Sequence, residues 1–332
     1  MVKKIIFSGT RPTGPLHLGN YFGAIKGYLD LQNNENFDCL YAVVDLHGIT
    51  SPYNPKKYQA QINELVLEYL ACGLDPNKSH LIIQSQIPEH LELSYLLATL
   101  YPVSRLEQLP TYKEKKKEQP KYANLGLLYY PILMAADILI YKSELVPVGK
   151  DQLPHLELTR EIARIFNNKF GQTFKEPQPY LTEGAYVPSL TGEGKMSKTN
   201  PKSYLSLIDD LKTIKAKIFK VPTDSGKGKT VPLKGGVFAL LTLVELFEGK
   251  EKRKEYEKMY LTSGIKYQTL KNDLSLKIYE TLKPIQEKRK YFESNPKLIK
   301  KILSEGKNYA SKIAQKTLKE VKIKMGLKMG LN

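Results

Sequence analysis

Two stretches of the chain carry residues suited to handling phosphate. The first, GTRPTGPLHLGN (residues 9–20), sets Arg11, His17 and the glycines at 9, 14 and 19 directly behind a short apolar run, KKIIF. A strand, a glycine-bearing turn and a helix start suit anions, because the unpaired N–H groups of the first helical turn point outward. The stretch lacks the G-x-G-x-x-G of dinucleotide sites. It is no Walker loop either: the Gly-Lys pairs at 194–195 and 228–229 have Ser189 and Thr223 where that pattern needs glycine. The second stretch, GEGKMSKTN (192–200), places Lys195 and Lys198 three residues apart on a glycine-flanked loop. Two ammonium groups on such a loop suit a triphosphate whose charge shifts during reaction. Taken singly, each has a plainer reading. A histidine near a helix start caps or packs, and two lysines in a chain this rich in lysine form a solvated loop.

Those residues need a scaffold, and the apolar spacing predicts one. KKIIF reads as a buried strand ending at Phe7, with a helix expected from about Leu18 to Leu31. FDCLYAVVDLH (37–47) reads as a second strand, followed by the turn-prone HGITSPYNP. An amphipathic helix is expected from Pro55 until Gly73 ends it. HLIIQSQ (80–86) and ELVPVG (144–149) read as further strands, each followed by a helical segment, 90–103 and 151–171. Alternation of this kind predicts an α/β fold with a mostly parallel sheet. Ligands in such sheets sit beyond the carboxyl ends of the strands, so the loops after Phe7, Val44, Ile83 and Val148 become the candidates. TYKEKKKEQPKYAN (111–124) reads as a mobile, basic polar insertion. Beyond residue 200 the strand signal gives way to helical segments at 203–220, 237–260, 270–295 and 296–326, around a Gly/Pro/Lys-rich loop at 221–236.

The composition sets the class. A chain of 332 residues, 41% hydrophobic, is ordinary for a soluble protein of one large or two smaller domains. No apolar run approaches the roughly 20 residues of a membrane span, and the opening MVKKIIFSGTRP has no secretory core, so the expected location is cytoplasmic. Cys39 and Cys72, without CxxC spacing, read as free thiols in a reducing compartment. The net charge is +17, of which residues 1–200 hold +1 and residues 201–332 hold +16. A lysine-rich composition alone would load both halves. The asymmetry predicts a neutral half that binds small molecules and a basic half that meets a polyanion, with nucleic acid as the expected partner.

Together the two stretches carry more than either alone. PTGPLHLGN (12–20) and KMSKT (195–199) resemble the HIGH and KMSKS signatures of the class I aminoacyl-tRNA synthetases. Between and beyond them, LLYYPILMAADIL (127–139), ELVPVGKDQLPHLELTREIARIFN (144–167) and TLKPIQEKRKYF (281–292) are similar to the bacterial tryptophanyl branch of that family. The resemblance spans essentially the whole chain. It implies a Rossmann-like, doubly wound parallel-sheet catalytic domain over 1–200, with an insertion around 50–125. It further implies a basic α-helical tRNA anticodon-binding domain over 201–332, whose last helix packs back on the first.

The resemblance also implies roles, position by position. ATP contacts fall on Arg11, Pro12, Thr13, Gly19, Asn20, Gly149, Lys150, Asp151 and Val187, and on the loop Lys195, Met196, Ser197, Lys198 and Thr199. The tryptophan pocket falls on Phe7, Tyr130, Met134, Asp137, Val146, Val148 and Gln152. Indole needs an apolar slot and one placed acceptor, and Asp137 lies in an apolar stretch where an unpaired carboxylate is costly. Without the family pattern, a capping or salt-bridged Asp137 is the simpler reading, as a helix N-cap is for Asp151. Catalysis is implied at His17, Lys195 and Lys198, with Mg²⁺ brought by ATP, no metal site of the protein's own, L-tryptophan and tRNA(Trp) as substrates, and a homodimer. Departures from the pattern are Asn20 in the first signature, Lys150 where the family is often acidic, Thr199 for the last serine, and a glycine-rich TGEG before Lys195. Lys113 and Lys115 align loosely with triphosphate contacts. The nearest rival is the sister tyrosyl enzyme, since a phenol also donates to Asp137; MAADIL and VPVGKDQ favour tryptophan. A non-catalytic RNA-binding relative would not need His17 and both lysines. A small nucleotidyltransferase would leave the basic helical half unexplained.

Overall fold

The computed structural model describes residues 3–118, 120–149, 152–181, 186–198 and 200–327. The chain opens on β1 (Lys4–Thr10), then α1 (Leu18–Asn20), a π-helical turn over Tyr21–Ile25 and α2 (Lys26–Gln32). β2 (Phe37–Val43), α3 (Asp45–Gly48), α4 (Pro55–Cys72) and β3 (Ser79–Ile83) follow. Next come α5 (Glu89–Ala98), α6 (Val103–Glu107), α7 (Pro110–Glu118), α8 (Leu125–Leu139), β4 (Leu145–Val148), α9 (Leu153–Phe170) and β5 (Gln178–Leu181). The remainder is helical: α10 (Leu211–Phe219), α11 (Gly235–Glu248), α12 (Lys250–Leu261), α13 (Tyr267–Glu293) and α14 (Pro296–Lys324).

The described strands form one sheet in the order β3-β2-β1-β4-β5, with every pairing parallel. The parallel sheet is the one expected from the alternation of strands and helices, and its order is the Rossmann-like, doubly wound arrangement that the family resemblance implied. Successive residues face opposite sides, as a pleated strand requires. Ile6, Cys39, Tyr41, Val43 and Leu81 enter one apolar core, while Phe7, Leu40, Ala42 and Ile82 enter the other. Both faces are therefore covered, which is why these strands read as nearly unbroken apolar runs. The first core takes in Leu240 of α11 and Leu270, Leu274 and Ile278 of α13. The second takes in Ala310, Ala314, Leu318 and Val321 of α14. Among the described residues, no helix is long and apolar enough to cross a membrane.

α14 lies close on the sheet. Gly306 sits mid-helix, a position where glycine is ordinarily the poorest choice after proline. Its fit explains it: a Cβ there would stand 2.2 Å from the Leu81 carbonyl oxygen of β3. Gly306→Val is therefore expected to lower stability by about 1–3 kcal/mol through overpacking. Urea unfolding measures the shift in midpoint.

Several local expectations are corrected. The helix expected over 18–31 is interrupted by the π-helical turn, a feature common near functional sites. β2 ends at Val43, and Asp45 to Gly48 form a helical turn instead of more strand. The polar stretch expected to be a mobile insertion holds helix α7 through Glu118, with Tyr112 buried beneath it. The helix expected from residue 203 starts only at Leu211, because Asp210 caps it by accepting from Thr213 N. The helix expected over 237–260 breaks at Gly249, whose φ is +92°. β5 was not anticipated, since four residues with a proline carry almost no strand signal.

Candidate active site

The sheet order reverses between β1 and β4, and the ligand crevice of such a sheet lies beyond the carboxyl ends of the strands there. Two cavities open at that point. One, of about 380 Å³, lies within the usual range for small-molecule sites. All seven residues expected to hold tryptophan line it: Phe7, Tyr130, Met134, Asp137, Val146, Val148 and Gln152. The other, of about 520 Å³, is lined by Arg11, Thr13, Gly19, Asn20, Val187 and the loop from Lys195 to Lys198, all expected at ATP, and by His17, expected to be catalytic. Thr10, Arg11 and Gly23 border both, so the cavities adjoin. Gly149 faces the first cavity instead of the second, and Pro12 is buried against Gly48 and lines neither. Lys150, Asp151 and Thr199 lie outside the described residues.

In the first cavity the acid expected to await an indole donor is already partnered. Asp137, 2% exposed on α8, accepts from His47 Nε2 at 2.8 Å and meets His90 Nδ1 at 2.6 Å. Gln84 Nε2 lies 2.8 Å from both carboxylate oxygens, and His90 Nε2 bonds Tyr141 Oη at 2.7 Å. Burial pushes the Asp137 carboxyl up, but hydrogen bonds from His47 and then His90 outweigh it and hold it down at about 2. These hydrogen bonds from His47, His90 and Gln84 account for its burial. His47 and Asp137 both line the cavity, so the charge forms part of its wall. On the same helix as Asp137, two turns earlier, Tyr130 Oη bonds His155 Nε2 at 2.7 Å, and Thr111 Oγ1 reaches the same nitrogen at 3.0 Å. α7 brings Thr111 and Lys115 to this wall. Burial and then the charge of Arg11 lower the Lys115 ammonium's proton affinity. Of the two lysines loosely aligned with the triphosphate, Lys115 lines a cavity.

In the second cavity the first signature is pinned through backbone to the segment that follows the second. Leu18 N donates to Leu205 O at 3.0 Å and Leu207 N to Leu16 O at 3.2 Å, which fixes His17 opposite Ser206. His17 is 5% exposed, and its ring packs against Tyr204 at 5.2 Å. Gly19 makes room for that ring, since a Cβ would lie 2.9 Å from it. Burial, reinforced by Lys198, lowers the His17 imidazole to about 4, so it is neutral near pH 7 and can donate without carrying charge. Lys198 Nζ donates to Gly14 O at 2.7 Å, so the second signature grips the first across 184 residues of sequence. Burial lowers Lys198 to about 8, with Glu68 opposing and Arg11 adding to the effect. Lys195 is exposed at the rim. Its strand-like stretch pairs with Pro188, and Met196 N donates to Val187 O at 3.2 Å. Neutral His17, Lys198 and Arg11 around one opening make an electropositive concavity suited to polyphosphate.

Sequence reasoning missed His47, Gln84, His90, His155 and Glu68. A signal existed for some of them: Gln84 follows LII, and Glu68 interrupts ELVLEYL on the apolar face of α4. Their convergence on Asp137, on Tyr130 or on the first signature is long-range and has no local trace.

A doubly wound sheet with two signature loops meeting at its switch point defines a class I synthetase catalytic domain. The family model for class I tRNA synthetases (W and Y) matches residues 2–283, and the chain belongs to this family. Its relatives are narrower. It is 42% identical over 330 residues to a tryptophan–tRNA ligase of Caldanaerobacter subterraneus, covering 98% of each chain. It is 41% identical over 332 residues to that of Helicobacter pylori, covering 98% of this chain and 100% of the relative. Among solved structures, a tryptophanyl-tRNA synthetase from Campylobacter jejuni complexed with ADP and tryptophan superposes with a TM-score of 0.85. The two are 33% identical, and the match covers 97% of this chain and all of that one. A tyrosyl-tRNA synthetase from Archaeoglobus fulgidus shares the fold at 17% identity and a TM-score of 0.67.

Proposed function

We propose that the two adjoining cavities hold tryptophan and ATP side by side and join them. The chain is a tryptophan–tRNA ligase. The amino acid's carboxylate attacks the α-phosphorus, the bond to the β-phosphate breaks, and tryptophanyl-adenylate and pyrophosphate form. The terminal ribose of tRNA(Trp) then takes the acyl group and AMP leaves. No protein nucleophile is needed: catalysis consists of positioning and stabilisation of shifting charge. Neutral His17 donates to a phosphate oxygen, while Lys195 and Lys198 follow the charge onto the departing pyrophosphate. Mg²⁺ would come as part of the nucleotide substrate and would supply charge neutralisation on its phosphates, beside Lys195 and Lys198. Phe7, Met134, Val146 and Val148 pack the indole, the Asp137 edge of the cavity offers its acceptor, and Tyr130 and Gln152 face the α-amino group. The observation that carries this reading is that all seven expected amino-acid contacts line one cavity bordering the other through Arg11.

The domain division at residue 200, the anticodon role of the basic helices and a cytoplasmic location belong to the same proposal. So does a homodimer, which exposed Leu91, Tyr95, Val103 and Leu125 on α5, α6 and α8 support as an apolar face for a second copy. The pocket assignment has a direct test. The protein contains no tryptophan, so red-edge excitation sees only the ligand. Free tryptophan is expected to shift its emission on saturable binding, with tyrosine as a poor competitor. Equal competition by tyrosine would refute the assignment.

A further inference from the structure

α4 buries a carboxylate that the reaction above does not use. Glu68 is 2% exposed, and both of its oxygens accept the Leu16 amide, at 2.8 and 3.0 Å. The other backbone group of Leu16, its carbonyl, accepts from Leu207 N. Leu16 is thus held at both ends, immediately before His17 and two residues after Gly14, whose carbonyl carries the Lys198 ammonium. A neutral side chain could satisfy one amide, whereas an ionised carboxylate in a buried site is costly unless paired. The charged groups facing Glu68 are Glu64 one turn earlier on α4, Lys198 across the turn and Arg289 on α13; Tyr69 and Cys72 face it as neutral groups. Arg289 is engaged elsewhere, bonding both Glu64 oxygens at 2.6 and 2.7 Å and Glu293 at 2.8 Å. Lys198 Nζ meets a neutral carbonyl, and burial pushes the Glu68 carboxyl up to about 7 against the Leu16 amide and Lys198, so from about neutral pH upward Glu68 carries the negative charge that favours the Lys198 ammonium.

We propose that Glu68 is a positioning residue for the reaction. Its carboxylate pins the Leu16 amide so that His17 and the Gly14 carbonyl keep their places, and its charge keeps Lys198 docked as an ammonium until the nucleotide phosphates take it over. The proposal rests on reading the second cavity as the nucleotide site. Glu68→Gln keeps the size and an acceptor oxygen and removes the charge. Tryptophan affinity is expected to stay unchanged in this variant, because the first cavity is untouched. Tryptophan-dependent pyrophosphate exchange is expected to slow by about tenfold, the equivalent of one pK unit of lost pairing. The alkaline limb of kcat/KM for ATP should move to lower pH, because Lys198 loses its counter-charge. In a Lys198→Met background, Glu68→Gln should add no further kinetic loss.

Exchange at the parental rate with an unmoved alkaline limb would overturn the proposal, as would additive losses in the double variant. Should Glu68→Gln not fold, Glu68→Asp retains the charge with a shorter reach. It is expected to slow exchange with the alkaline limb in place, and a shifted limb would count against the proposal. A parent enzyme that shows no tryptophan-dependent exchange would instead reject the reading of the cavity itself.

Discussion

Lys198→Met is expected to slow tryptophanyl-adenylate formation by about 10²–10³-fold while tryptophan affinity stays within about twofold of the parent. Methionine keeps much of the stem that packs over the turn at Gly14 and removes only the ammonium. Lys198 is the better placed of the two signature lysines for this test: it is partly buried, bonded across the cavity to Gly14 O, and held near a neutral histidine. In such a site, little water competes for the charge that develops on the phosphates, so a fixed cation is worth far more than on the surface. Its proton affinity, lowered by burial to about 8, should rise when polyphosphate enters. The variant should therefore lose rate in the chemical step. Single-turnover formation of adenylate, set against tryptophan binding followed by ligand fluorescence, separates the two quantities. Equal losses in both would mean that Lys198 only supports the fold.

The second large effect is expected at Asp137. Asp137→Ala leaves His47, His90 and Gln84 facing an empty site, and breaking a buried network of this kind typically costs about 3–5 kcal/mol. Tryptophan binding should be lost with it. The pH dependence has a definite sign. A carboxyl held at about 2 in the folded protein and near 3.9 when unfolded contributes about 2–3 kcal/mol. That contribution is complete above the unfolded value and is lost as pH falls through the folded one. Asp137→Asn removes the titration, so its stability should decline less steeply than the parent's from about pH 5 toward pH 2. Urea unfolding across that range checks it, and parallel acid limbs would contradict the account.

The alternation of buried strands with amphipathic helices made the sheet legible, because the pattern that names a strand is the pattern that buries it. The segments around Pro55–Cys72 and Leu153–Phe170 have clear starts and glycine ends, and they fold as expected. Misread segments were those where tertiary contacts overrode local signals. Ser203 to Leu207 would continue a helix by composition, yet Leu205 O accepts from Leu18 N and Leu207 N donates to Leu16 O. TYKEKKKE looks like a solvated loop by charge, yet Tyr112 anchors it as a helix whose other face supplies Thr111 and Lys115.

The site was legible through two short signatures, but only jointly. His17 and Lys198 are unremarkable residues until the chain folds back over a separation of 184 residues to set the lysine on Gly14. The partners of Asp137 come from α3, from the turn after β3 and from α5, and no spacing in the sequence relates them. Glu68 was visible as an acid on an apolar helix face, but its target, the Leu16 amide, appears only in the folded chain.

The central claim is that one cavity selects tryptophan and the other activates it with ATP. Amino-acid-dependent exchange of pyrophosphate into ATP, run with each of the twenty amino acids in turn, tests it most directly. The account predicts exchange that depends on tryptophan and is negligible with tyrosine and the rest. Exchange driven by tyrosine in preference to tryptophan, or by no amino acid at all, would contradict it.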